Sequence, residues 1–107
     1  MARVLAIAPD LMFASRIEAT LGAAGHDVQI ANSISEASGL EGVELLVVDL
    51  DEEPPAGLVG FGLPVLGFYV HLNTETREAA ERAGVDLVVP RSRMAREMPA
   101  LVERLAA

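Results

Sequence analysis

Cysteine and lysine are both missing from this chain of 107 residues, and each absence removes a class of chemistry. Without cysteine there is no disulfide framework, no thiol nucleophile and no thiolate metal site, a composition compatible with a reducing compartment. All eight basic residues are arginine, so no amine is available for a Schiff base or as a point-charge phosphate clamp. No apolar stretch approaches the roughly 20 residues that a membrane-spanning helix needs. The opening run, "MARVLAIAPD", is stopped by Pro9 and Asp10 too early for a signal peptide, and the chain is expected to work in the cytoplasm. Sixteen acids against eight arginines leave a net charge of -8, which repels phosphate backbones and anionic lipid. Neither nucleic acid nor a membrane is an expected partner.

Several chemical motifs are also absent. There is no G-x-S-x-G elbow for a serine hydrolase. The first turn, "APDLMFA", has none of the glycines that let a backbone approach a pyrophosphate, and Asp10 would repel one, which excludes a dinucleotide site. The acidic run "DLDEE" at 49–53 lacks the glycine-centred loop of an EF-hand and reads as a solvated acidic loop. His71 and His26 have no second histidine or cysteine placed to complete a metal set, and both read as ordinary loop residues. No metal ligand set, cofactor site or catalytic group is assigned.

What is present is a regular alternation of short apolar runs and helical patterns. "RVLAIA" at 3–8 reads as a buried strand, and Leu11, Phe13, Ala14, Ile17 and Leu21 recur at helical spacing behind an Asp10 N-cap, with Gly22 or Gly25 as the stop. "HDVQIA" alternates as a second strand. "SISE" at 33–36 has the pattern of a capping box and opens a short helix closed by Gly39 or Gly42. "ELLVVDL" is apolar on both faces, as the centre of a parallel sheet requires. The following "DEEPPAGLVGFGLP", with three glycines and three prolines, leaves room for a loop with at most one helical turn.

"PVLGFYV" reads as the fourth strand, and "NTETREAAERAG" as a helix capped by Asn73 or Thr74 and stopped by Gly84. "DLVV" is the fifth strand, and a final helix starting near Ser92 carries Met94, Met98, Leu101, Val102 and Leu105 on one stripe, divided by Pro99. The expected fold is α/β, one domain over 1–107 with a doubly wound parallel sheet. In such sheets functional groups gather beyond the carboxyl ends of the strands. That edge collects Ala8, Pro9 and Asp10, then Asp49 and Asp51, then Tyr69 and His71, then Pro90, Arg91 and Ser92.

From "RVLAIAPD" through "LLVVDL" and "LPVLGFYV" to "AAERAGVDLVVPRS", the chain resembles the receiver domains of bacterial response regulators, the CheY-like group. The resemblance implies a flavodoxin-like five-stranded sheet of order 2-1-3-4-5, here with a shortened third helix. Asp49 falls where receivers keep the aspartate that accepts a phosphoryl group. The acidic pair that helps to bind magnesium falls on Ala8 and Pro9, with Asp10 one residue late and so expected to turn away from the site. The family's small hydroxyl falls on Tyr69, its switching aromatic on Val88, and its lysine-proline pair on Arg91 and Ser92. Arg91 keeps the positive charge and is a candidate partner for Asp49, whose plainest role is that of a structural carboxylate bonded to Arg91 or to loop amides.

These departures point to a pseudo-receiver: a non-catalytic, stand-alone bacterial signalling or regulatory module with no output domain of its own. It would act on a protein partner or as a homodimer through the fourth helix, fifth strand and fifth helix. Mixed charges there, Arg77, Arg82, Arg93 and Arg96 against Glu75, Glu78, Glu81 and Glu97, suit a salt-sensitive contact. "LVGF" at 58–61 is a further candidate apolar patch. The alternative is a single-domain response regulator phosphorylated on Asp49 with atypical metal coordination.

Overall fold

The computed structural model describes residues 1–36, 41–54, 62–71 and 74–106. Five strands, β1 (Arg3–Ile7), β2 (Asp27–Ala31), β3 (Leu45–Asp49), β4 (Val65–Tyr69) and β5 (Leu87–Pro90), form one sheet in the order β2-β1-β3-β4-β5. All four pairings are parallel. Three helices are described: α1 (Leu11–Ala23), α2 (Thr74–Arg82) and α3 (Arg91–Ala106), with a single 3₁₀ turn at Ile34–Glu36. α2 and α3 are the helices anticipated as fourth and fifth. The doubly wound α/β arrangement is that expected from the alternation of strand and helix patterns.

Alternation along β1 and β3 splits the core into two layers. Val4, Ala6, Leu45, Val47, Leu66 and Phe68 face α1 and α3, while Leu5, Ile7, Leu46, Val48 and Val65 face the other side with Ala80 of α2. Every residue of β3 is buried, the pattern of a central parallel strand covered on both faces. α1 contributes Phe13, Ala14, Ile17 and Leu21, three or four residues apart and thus on one face. Gly22 lies inside this helix; the chain reverses at Gly25, whose φ of 93° is readily available only to glycine.

Pro99 does not divide the final helix, contrary to expectation. α3 is continuous, begins directly at Arg91, and carries Pro99 within it. A proline costs one intrahelical hydrogen bond, but buried Met94 and Met98 before it and Leu101 and Val102 after it hold both halves against the sheet. Around Ser33 the anticipated helix is represented by the 3₁₀ turn alone among the described residues. Its Gly39 stop, the Asn73 cap, the "LVGF" patch and residues 55–61 of the "DEEPPAGLVGFGLP" segment, where a shortened third helix is expected, lie outside the described residues.

Candidate functional site

The register fixes which residues meet at the carboxyl edge. Ile7 pairs with Val48, Asp49 with Phe68 and Tyr69 with Pro90, so the segments that follow β1, β3, β4 and β5 emerge side by side. Between them lies a cavity of about 440 Å³ lined by Pro9, Asp10, Asp49, Asp51, Glu52, Val70, His71 and Arg91.

Asp10 does not turn away from this site. It stands at the N-cap of α1, where one carboxylate oxygen accepts hydrogen bonds from the amides of Met12 at 3.0 Å and Phe13 at 3.3 Å. Its other oxygen accepts from Nη2 of Arg91 at 2.7 Å. The alternation rule that aims successive side chains to opposite faces holds only within a strand, and β1 has ended at Ile7. The Arg91 hydrogen bond, followed by that from the Phe13 amide, holds the Asp10 carboxyl below its ordinary range. Arg91 therefore pairs with Asp10 and not, as anticipated, by hydrogen bond with Asp49. Its guanidinium carbon also sits 4.1 Å from the centroid of Phe13, a cation–π contact that an ammonium on a flexible stem would not reproduce in the same shape. Phe13 packs in turn on Phe68, centroids 5.0 Å apart.

Asp49 ends the central strand and is 6 % exposed. One oxygen, Oδ1, accepts from the Asp51 amide at 3.0 Å, which is the loop-amide bond anticipated for a structural carboxylate. Burial pushes its carboxyl up from the ordinary value; the Asp51 amide opposes this, and the charges of Asp51 and Glu52 reinforce it.

The acidic run after β3 is not simply solvated. Asp51 accepts from the amides of Val70 at 2.6 Å and His71 at 3.2 Å, joining the turn after β3 to the one after β4. Glu53 reaches back to the amide of Ile34 at 2.6 Å and ties the same turn to the segment after β2. Neither role was legible in the acidic composition, because the partners lie 19 or 20 residues away and offer only backbone amides.

The remaining positions are distributed unevenly. Ala8 is buried and Pro9 lines the cavity, and neither side chain offers a ligating atom. Tyr69 is half-buried at the end of β4 and does not line the cavity, whereas His71 does. Val88 packs in the second apolar layer. Magnesium asks for near-octahedral oxygen ligation at about 2.1 Å. Asp10 and Asp51 already spend both oxygens on amides or Arg91, and among the described residues no three acidic, histidine or cysteine side chains are grouped to hold a metal ion. The residues present do not fit the family's magnesium site.

Away from this edge, His26 is a buried tie and not an ordinary loop residue. Its Nδ1 accepts from the Ala2 amide at 2.9 Å, and its buried Nε2 has no hydrogen-bond partner among the described residues. On α2 and α3 the mixed charges pair within their own helices: Arg77 with Glu81 at 3.4 Å, Arg93 with Glu97 at 3.3 Å and Arg96 with Glu97 at 3.9 Å. α2 buries only Ala80 among its residues. No described helix is long and apolar enough to cross a membrane.

No protein-family model matches the chain, and no curated protein matches it in sequence. Solved structures do. A CheY-like response regulator receiver domain protein from Methanospirillum hungatei superposes with a TM-score of 0.85 at 18% identity, over 97% of this chain and 92% of its own. The receiver domain of a Francisella response regulator gives 0.85 at 20% identity, over 99% and 97%. A pilus assembly-related protein of Burkholderia pseudomallei gives 0.76 at 21% identity, over 99% and 90%. The chain has the fold of response regulator receiver domains.

Proposed function

We propose that residues 1–107 form a single receiver-like domain that works in the bacterial cytoplasm as a non-catalytic signalling or regulatory module. It acts by binding another protein, or a second copy of itself, through α2, β5 and α3, and Asp49 is not phosphorylated by the receivers' usual route. The observation that carries this reading is the commitment of the site's acids: both oxygens of Asp10 and of Asp51 already accept hydrogen bonds within the fold. A magnesium ion would have to break those bonds to recruit them. Arg91, the cation in the place of the family's lysine, directs Nη2 to Asp10 and its face to Phe13.

Support for the interaction face is the exposed mixture of charge on α2 and α3. Among the described residues Glu75, Glu78 and Arg82 make no ion pair, so they are open to charges from outside. Exposed pairs contribute little to folding and are suited to selecting a partner. One observation favours the second reading, a phosphoacceptor with atypical coordination: Asp49 borders the cavity with one oxygen unbonded among the described residues.

Sedimentation velocity over a wide concentration range at low salt tests the self-association arm. A dimer that weakens with salt and with the double variant Arg93→Glu/Arg96→Glu supports the face assigned. A dimer indifferent to both places the contact elsewhere, and a strict monomer leaves only a foreign partner.

A further inference from the structure

Three of the four large hydrophobics exposed among the described residues lie on or beside the segments that form the candidate cavity: Val70 lines it, and Leu11 and Met12 directly follow its Asp10. Leu11 is 76% exposed, Met12 85% and Val70 51%, the fourth being Met1 at the chain's start. Leu11 and Met12 begin α1 but stand off its buried stripe of Phe13, Ile17 and Leu21, on the side where a surface helix ordinarily carries polar residues. Val70 directly precedes His71 in the cavity wall. An apolar rim around a polar cavity marks an interaction site more often than scattered single residues do.

The cavity itself is anionic. Arg91, the one arginine among its described lining residues, bonds Asp10 and reaches Asp49 only through its charge. The Glu52 side chain makes no hydrogen bond or ion pair among the described residues, and Asp49, 6% exposed, uses one oxygen on the Asp51 amide and has no described partner for the other. Uncompensated carboxylates in a partly enclosed space attract a cation, and a long cationic side chain can reach in while its stem covers the apolar rim.

We infer that this cavity is a docking site for a protein segment that inserts an arginine or lysine side chain toward Asp49 and Glu52 and lays flanking apolar side chains on Leu11, Met12 and Val70. The occupant is a foreign protein with a basic segment, the charge complement of this cavity's acidic lining. The cation would also offset the charges of Asp51 and Glu52, which add to the effect of burial on the Asp49 carboxyl. This site shares Arg91 with α3 but none of the charged residues tested on the α2, β5 and α3 face, so the two assignments are tested by different variants.

The probe is a short capped peptide in which leucine and arginine alternate, titrated into the full chain while backbone amide resonances are followed. Saturable shifts are expected to centre on residues 10–13, 49–52 and 70–71. Glu52→Lys is expected to weaken binding roughly tenfold. The double variant Leu11→Ser/Met12→Ser replaces solvent-exposed side chains, leaves the fold intact, and is expected to weaken it several-fold. A peptide with glutamate in place of arginine should not bind. Shifts scattered over the acidic surface without saturation, undiminished binding by Glu52→Lys, or equal binding of a peptide with serine in place of arginine would each overturn the assignment.

Discussion

At the end of β1 an aspartate lies open to solvent with both oxygens engaged, and at the end of β3 another lies buried with only one oxygen engaged. Asp10 gains a cap at a helix start and a guanidinium held flat on Phe13, so its fold favours the ionised form. Asp49 gains one amide and lies beside two further acids in a desolvated position, so its fold disfavours ionisation. Two carboxylates bordering the same cavity thus experience opposite fields. The difference teaches where the positive charge of this site goes: Arg91 bonds the exposed acid, and the buried one receives its hydrogen bond from the loop and only a minor effect of that charge.

The most damaging way to break this arrangement is Arg91→Ala, which removes the hydrogen bond to Asp10 and the cation–π contact together and should lower the denaturation midpoint more than any other variant here. Arg91→Lys, retaining charge without the planar fork, should recover part of that loss. Next in size is Asp51→Ala, which frees the Val70 and His71 amides and unties the turns after β3 and β4, at about 1 kcal/mol in the same denaturation measurement.

A gain is expected from Asp49→Asn. The amide oxygen still accepts from the Asp51 amide while the buried charge disappears, so stability at neutral pH should rise by several tenths of a kcal/mol. A fall in stability would mean that the carboxylate has a compensating partner.

The smallest effect sharpens the comparison through pH. For Asp10 the folded value lies below the unfolded one, so its contribution is present above the unfolded value and is lost as pH falls through the folded value. For Asp49 the folded value lies above the unfolded one, so its contribution is present below the unfolded value and is lost as pH rises through the folded value. Against the wild type, Asp10→Asn should therefore lose its disadvantage on acidification. Asp49→Asn should gain its advantage as pH rises from the acid range. Denaturation series on the two variants across acid pH would check both signs.

The sheet could be read from the chain because its signals are local. Five short apolar runs separated by helical patterns require parallel strands, and "LLVVD", apolar on both faces, had to be central. α1 was legible from Asp10, the Phe13–Ile17–Leu21 stripe and the glycines after it. Pro99 misled because a local breaker was weighed without the four buried side chains that hold α3 on both sides. The site was legible in membership but not in pairing. Its acids and Arg91 follow from strand ends, whereas the Asp10–Arg91 bond spans 81 residues and depends on where α1 begins. The ties from Asp51 and Glu53 end on backbone amides, which carry no side-chain signature. His26 was hidden for the same reason, its partner being the Ala2 amide.

The central proposal is that Asp10 and Asp51 are spent on the fold and that Asp49 is not a phosphoacceptor. Intact mass after incubation with a small-molecule phosphodonor, with and without magnesium and with Asp49→Asn as control, tests it most directly. The account predicts no phosphoryl adduct on the folded wild-type protein under either condition. A magnesium-dependent adduct that vanishes in Asp49→Asn would contradict it and show that Glu52 or a displaced Asp10 or Asp51 completes a working site.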